Sequence, residues 1–204
     1  RTRLADLAPA LTEAQEGAAR VRRIVRDLKL FSRSDDALGP IDVRRVAEAA
    51  CNMAWNEVRH RAKLVKHLGE VLPVDANEAR LGQVLVNLLV NAAQAIPEGR
   101  AERNQITVVT GRSGGRADGS VFIEVRDTGS GIAPEHLHRI FDNGFSTRGE
   151  RRRGLGLGIT QRLCTRSLGR LAVHSQLGEG TVFGLWLPRA EPDEEKKPSQ
   201  AANG

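Results

Sequence analysis

The stretch from 75 to 96 constrains this chain more than any other. From residue 81 onward it carries Leu81, Val84, Leu85, Val86, Leu88, Leu89, Val90, Ala92, Ala93, Ala95 and Ile96, interrupted mainly by neutral amides. Those amides are Gln83, Asn87, Asn91 and Gln94, spaced four, four and three residues apart. That spacing stacks them along one face of a helix. The apolar positions leave no side for water, and a helix apolar all round is buried. Buried amides need partners, so a regular row of them predicts a polar ligand or a metal along that face.

The 204 residues predict one domain of ordinary size plus an appendage. Hydrophobic content of 40% and charged content of 27% fit a soluble globular protein. No apolar run approaches the roughly 20 residues of a membrane span, and no signal peptide is visible. The first residue is Arg rather than Met, which predicts a piece of a longer polypeptide whose other parts include a membrane anchor or lack one. Cys51 and Cys164 lie far apart in predicted helices and match no metal spacing, so they read as reduced core residues of a cytoplasmic protein. The net charge of +6 invites a nucleic-acid reading. Aromatics make up only 3%, with no Tyr, which argues against base stacking and against a nucleic-acid partner. The basic residues gather on the N-terminal helix and at Arg148, Arg151, Arg152 and Arg153, where a triphosphate is the more economical partner.

Along the chain, Leu4, Leu7, Leu11, Ala14, Ala18, Val21, Val25 and Leu28 alternate three and four apart, the seam of a coiled coil or bundle. A helix packed on its own domain would give the same pattern. Residues 1–35 are thus expected as a bundle helix and 36–40 as a linker, followed by a domain over 41–189 and a disordered tail over 190–204. Within the domain, helices are expected over 43–59, 75–96 and 157–168. Strands are expected over 63–68, 71–74, 105–110, 121–126, 170–175 and 181–187. Asp75 with Glu78 resembles a capping box for the second helix, and Pro134 opens a short helix. Strands and helices mix without strict alternation, which predicts an α/β fold, a two-layer sandwich with helices on one face of a mixed sheet.

Two glycine patterns carry the chemistry. Asp127, Thr128, Gly129, Ser130 and Gly131 stand where a strand ends, setting a carboxylate acceptor beside backbone that a flat ligand can approach. An ordinary tight turn has the same composition. Gly154, Leu155, Gly156, Leu157 and Gly158 run into the next helix, where backbone N–H groups and the helix dipole favour an anion. Neither a Walker loop nor a dinucleotide fingerprint fits this run, and a hinge competes as an explanation. Arg148 and the following arginines add charge for phosphates, or form a solvated basic loop.

In this order, with the amide row and a closing turn at Gly178, Glu179, Gly180 and Thr181, the motifs resemble the ATP-binding domain of bacterial sensor histidine kinases. These belong to the superfamily of gyrase, MutL and heat-shock chaperone ATPases. The matching segments are Asn87-Leu88-Leu89-Val90-Asn91, Asp127 to Gly131, Ile140 to Arg148, Gly154 to Gly158 and Gly178 to Thr181, and the resemblance covers 17–188. It implies a Bergerat-type fold binding ATP and Mg²⁺. Asn91 would ligate the metal through its side-chain oxygen, and Asn87 would contact phosphate or a metal-bound water. Asp127 would hold the adenine amine with Thr181 assisting through water, while Gly129, Gly131 and Ile132 would shape the base pocket. Gly154, Leu155, Gly156, Leu157 and Gly158 would cradle phosphates. Residues 133–153, with Thr147 and Arg148, would form the lid, although Asn143-Gly144 departs from the commoner version.

Position 87 discriminates within the superfamily. Related clamp ATPases carry a glutamate there to activate water, whereas an amide cannot act as a base. Phosphoryl transfer needs chiefly positioning and charge neutralisation, so the kinase reading is favoured. Residues 17–33 resemble the second helix of a histidine-kinase dimerisation hairpin. The helix bearing the phosphoacceptor His is absent, and none of His60, His67, His136, His138 and His174 stands in a matching context. The implied partners are that helix of the same kinase, a response-regulator receiver domain, and a second copy in a homodimer. An ATPase or Ser-directed kinase of the superfamily, or a non-enzymatic assembly module, is the alternative.

Overall fold

A computed structural model describes residues 38–112, 120–142, 145, 155–167 and 169–190. The expected coiled-coil seam, lid residues 143–144 and 146–153 with Thr147 and Arg148, Gly154 and the tail beyond residue 190 lie outside them. Among the described residues stand seven strands and three helices: β1 Gly39–Ile41, α1 Val43–Val58, β2 Lys63–Leu68, β3 Val74–Ala76, α2 Glu78–Ala95, β4 Gln105–Arg112, β5 Val121–Asp127, α3 Leu155–Ser167, β6 Arg170–Gln176 and β7 Gly180–Leu187. Short 3₁₀ turns stand at Ala101–Arg103 and Pro134–His136. Five strands form a mixed sheet in the order β2-β4-β5-β7-β6, while β1 and β3 make a separate antiparallel pair. The β2–β4 pairing is parallel and the rest are antiparallel. None of the described helices is long and apolar enough to cross a membrane.

The period-two pattern of the strands fixes which face is covered. Ile106, Val108, Val121, Ile123, Val125, Phe183, Leu185 and Leu187 share one face and merge with the buried faces of α1 and α2 into a single core. The helices therefore lie on one side of the sheet, as an α/β sandwich requires. No residue of α2 from Leu81 to its C-cap Ile96 is exposed. Its Leu81, Leu85, Leu88 and Leu89 are almost wholly inaccessible, each worth about 1.5–3 kcal/mol of transfer free energy.

Four expectations need correction. Helix α2 is capped by Asn77, whose side chain accepts from Arg80 N–H at 2.9 Å, not by Asp75. Asp75 is committed to β3, paired opposite Pro40, so the helix cannot open until the strand has ended. The same pairing moves the strand expected over 71–74 to Val74–Ala76 and puts Gly39 and Pro40, expected in a linker, into β1. Helix α3 begins at Leu155 rather than at 157, so Gly156, expected ahead of the helix, sits with Gly158 in its first turn.

Candidate functional site

One rung of the sheet carries three polar groups where core residues belong. The register sets Ile106 opposite Asp127, Asp127 opposite Thr181, and Thr181 opposite Ser175. Asp127 and Thr181 are buried, the last members of rows that are otherwise apolar. Opposed residues on adjacent strands bring their side chains together on one face. The Asp127 carboxylate accepts from Gly129 N–H at 2.8 Å. Beyond it, Thr128 is tied to the edge of β4: Gln105 N–H donates to its hydroxyl at 3.0 Å, and its own N–H donates to Gln105 O at 3.2 Å.

The loop 128–132 is wedged between α2 and the β6–β7 turn. On the helix side, Ser130 N–H donates to Ala95 O at 3.0 Å, and a Cβ added to Gly129 would fall 2.7 Å from the same carbonyl. On the turn side, Gly178 N–H donates to Ser130 O at 2.8 Å, and Ile132 N–H donates to Ser175 Oγ at 2.8 Å. Gly131 has φ 65°, and a Cβ there would fall 2.0 Å from Gln176 O. Only glycine combines that dihedral with that approach.

From this end the amide row runs away along α2. Ala95 touches the loop, Asn91 stands one turn back and Asn87 a further turn, at about 6 Å per four residues. Gln83 Nε2–H donates to Asn87 Oδ1 at 3.1 Å, and Asn87 Nδ2–H donates to Thr160 Oγ at 3.5 Å. Thr160, wholly buried in α3, in turn donates to Gly156 O at 2.8 Å. The row is therefore oriented from the α3 side. Asn91 differs: its buried Nδ2 finds no hydrogen-bond partner among the described residues. A Cβ on Gly156 would lie 3.6 Å from that nitrogen, an ordinary contact, so Asn91 alone does not demand glycine there.

The structure thus brings Asp127, Gly129, Gly131, Ile132 and Thr181 to one end and Asn87, Asn91 and Gly156 to the other, with Leu157 and Gly158 following in the first turn of α3. The side chain of Leu155 is not described. Sequence reasoning missed Ser175 and Thr160. Ser175 shares the parity of Leu171 and Val173 in β6, and a hydroxyl at a core position was the signal. Thr160 lies four residues after Gly156, within reach of the row only once α2 and α3 pack.

Comparison with known proteins identifies the family. Residues 76–191 match the family described as histidine kinase-, DNA gyrase B- and HSP90-like ATPases. The sensor histidine kinase ZraS of Escherichia coli K12 is 33% identical over 194 residues, covering 90% of this chain and 40% of that protein. The chain thus spans about two fifths of the length of that curated relative. A crystal structure of full-length ShkA in complex with AMPPNP superposes with a TM-score of 0.68 at 25% identity, covering 90% of this chain and 38% of that one. A mycobacterial sensor histidine kinase, MprB, shares the fold with a TM-score of 0.61 at 23% identity, covering 76% of this chain and all of that one. With more than half of its length matched, the chain belongs to the family of histidine kinase-, DNA gyrase B- and HSP90-like ATPases.

Proposed function

We propose that this chain is the ATP-binding catalytic domain of a two-component sensor histidine kinase. It transfers the γ-phosphate of ATP to a histidine on a dimerisation helix outside these 204 residues, for onward transfer to an aspartate of a response regulator. The observation that carries this reading is the amide row ending at Asp127. A carboxylate acceptor at one end and neutral amides at one-turn intervals suit a ligand with an amine at one end and phosphates at the other. Asp127 takes the adenine amine, and Gly129, Gly131 and Ile132 line the base. Asn91 and Asn87 meet the phosphates, with Gly154, Leu155, Gly156, Leu157 and Gly158 supplying backbone N–H groups from the start of α3. Thr147 and Arg148 complete the site from the lid.

The donor set fits Mg²⁺. Asn91 offers an amide oxygen to a hard cation, and its unpartnered Nδ2 is left to donate to a phosphate or a metal-bound water. Among the described residues no three His, Cys, Asp or Glu side chains cluster as a cage, which suits an ion held by one protein ligand, phosphates and water. Bound Mg²⁺ would neutralise charge on the phosphates. Asn87 stands where a general base would activate water. Its Oδ1 accepts from Gln83 and its Nδ2 donates to Thr160, so it orients without abstracting a proton. Residues 1–35 supply the second helix of the dimerisation hairpin, and the parent works as a homodimer.

The test is phosphotransfer from γ-labelled ATP in the natural polypeptide extended upstream of Arg1. Label on protein that is lost in acid and kept in base identifies phosphohistidine and supports the kinase. Steady ATP hydrolysis by the 204-residue chain with no phosphoprotein would move the reading to a clamp-type ATPase. Neither label nor turnover would leave an assembly module.

A further inference from the structure

Ser175 has one proton and two lone pairs, and three neighbours lie within hydrogen-bond distance of its Oγ. Ile132 N–H is at 2.8 Å, Gly180 O at 2.9 Å and Thr181 Oγ at 2.9 Å. The first of these can only donate and the second can only accept. Ser175 therefore spends its single proton on the Gly180 carbonyl and one lone pair on Ile132. The second lone pair is left for Thr181, which must donate its own proton to Ser175. The opposite assignment would set the Ser175 oxygen against the Gly180 carbonyl with no proton between them. Thr181 is thereby reduced to an acceptor toward every other neighbour. Directly across the β5–β7 pairing stands Asp127, whose carboxylate is also an acceptor.

We propose that Ser175 is a specificity-determining positioning residue: by fixing the direction of the Thr181 hydroxyl it makes the Asp127–Thr181 rung acceptor-only, selecting a purine with an amine at C6 over one with a carbonyl there. This rests on the ATP reading above. A free Thr hydroxyl can turn either way and serve an amine or a carbonyl. With Ser175 in place it cannot turn, and a carbonyl oxygen would face acceptors on both strands. A site whose polar groups match one partner rejects another that leaves them unpaired. The same hydroxyl holds Ile132 N–H, so it also sets the end of the loop 128–132 against the β6–β7 turn.

The experiment is calorimetric titration of ATP and of inosine triphosphate, with its carbonyl at C6, into the 204-residue chain and its variants. The parent should prefer ATP, and Ser175→Ala should lower the ATP-to-inosine-triphosphate affinity ratio by about tenfold, the effect of one hydrogen bond changing from repulsive to attractive. A merely structural role would weaken both nucleotides and leave the ratio alone. Thr181→Val removes the directed hydroxyl without disturbing the strand and should lower the ratio as well, which keeps the test decisive if Ser175→Ala does not fold. Adding Ser175→Ala to Thr181→Val should then change the ratio no further. An unchanged ratio in either folded single variant overturns the inference, as does a parent that binds both nucleotides equally, with the ATP reading intact. A parent that binds neither overturns both.

Discussion

Gly131 joins two requirements that only glycine meets together, a positive φ and a carbonyl, Gln176 O, lying where a Cβ would stand. Gly131→Ala should therefore lose stability by about 1–3 kcal/mol or more from backbone strain and forced displacement of the turn. Urea denaturation would show this as a lower midpoint with an unchanged slope. Asp127, Gly129, Gly131 and Thr181 were legible as candidates because they stand in two short motifs with fixed internal spacing. Ser175 belongs to no such motif, and its parity with Leu171 and Val173 in β6 was its one mark in the sequence. Its meaning comes from the β6–β7 register, which sets it opposite Thr181. Thr160 was hidden for the same reason, since its bond from Asn87 spans 73 residues.

Helix α2 shows what an element's own pattern can and cannot disclose. Its existence, burial and amide face followed from periodicity, because apolar and polar positions repeat at the helical interval over many turns. Its start did not, because Asp75 and Asn77 are equivalent caps in isolation, and the choice between them is made by the pairing of β3 with β1. Leu88→Ala should cost about 2–5 kcal/mol, since a fully buried leucine leaves a cavity that its neighbours close only in part. A thermal or urea melt would read the loss. Helix α3 carries a pH-dependent counterpart. Burial pushes the Cys164 thiol up to about 12, from an ordinary value of 9.0. The folded state thus favours the neutral thiol, and the stability gained is complete below pH 9.0, then lost as pH rises toward 12. Cys164→Ala should flatten the fall in urea midpoint across that window. In the folded parent at neutral pH, Cys164 should react with thiol reagents far more slowly than after denaturation.

For the whole molecule, the sheet and its helices matter chiefly for what they align. The α/β sandwich places the C-terminal end of α2, the end of β5 and the β6–β7 turn around one loop, and then lays the amide row and the start of α3 beyond it. The architecture was legible as a class because helical and strand periods alternate irregularly along the chain. Strand order β2-β4-β5-β7-β6 was not, since it depends on pairings distant in sequence. The Asp127 rung and the amide row are proposed as the two ends of one nucleotide site. Calorimetric titration of ATP with Mg²⁺ into the parent, Asp127→Asn and Asn91→Ala decides this, with circular dichroism to establish that each is folded. The parent should bind saturably and one-to-one, with affinity falling at least about tenfold in each variant as a polar contact of one end is lost. A folded parent that shows no heat of binding, or folded variants that bind ATP as tightly as the parent, would rule this site out.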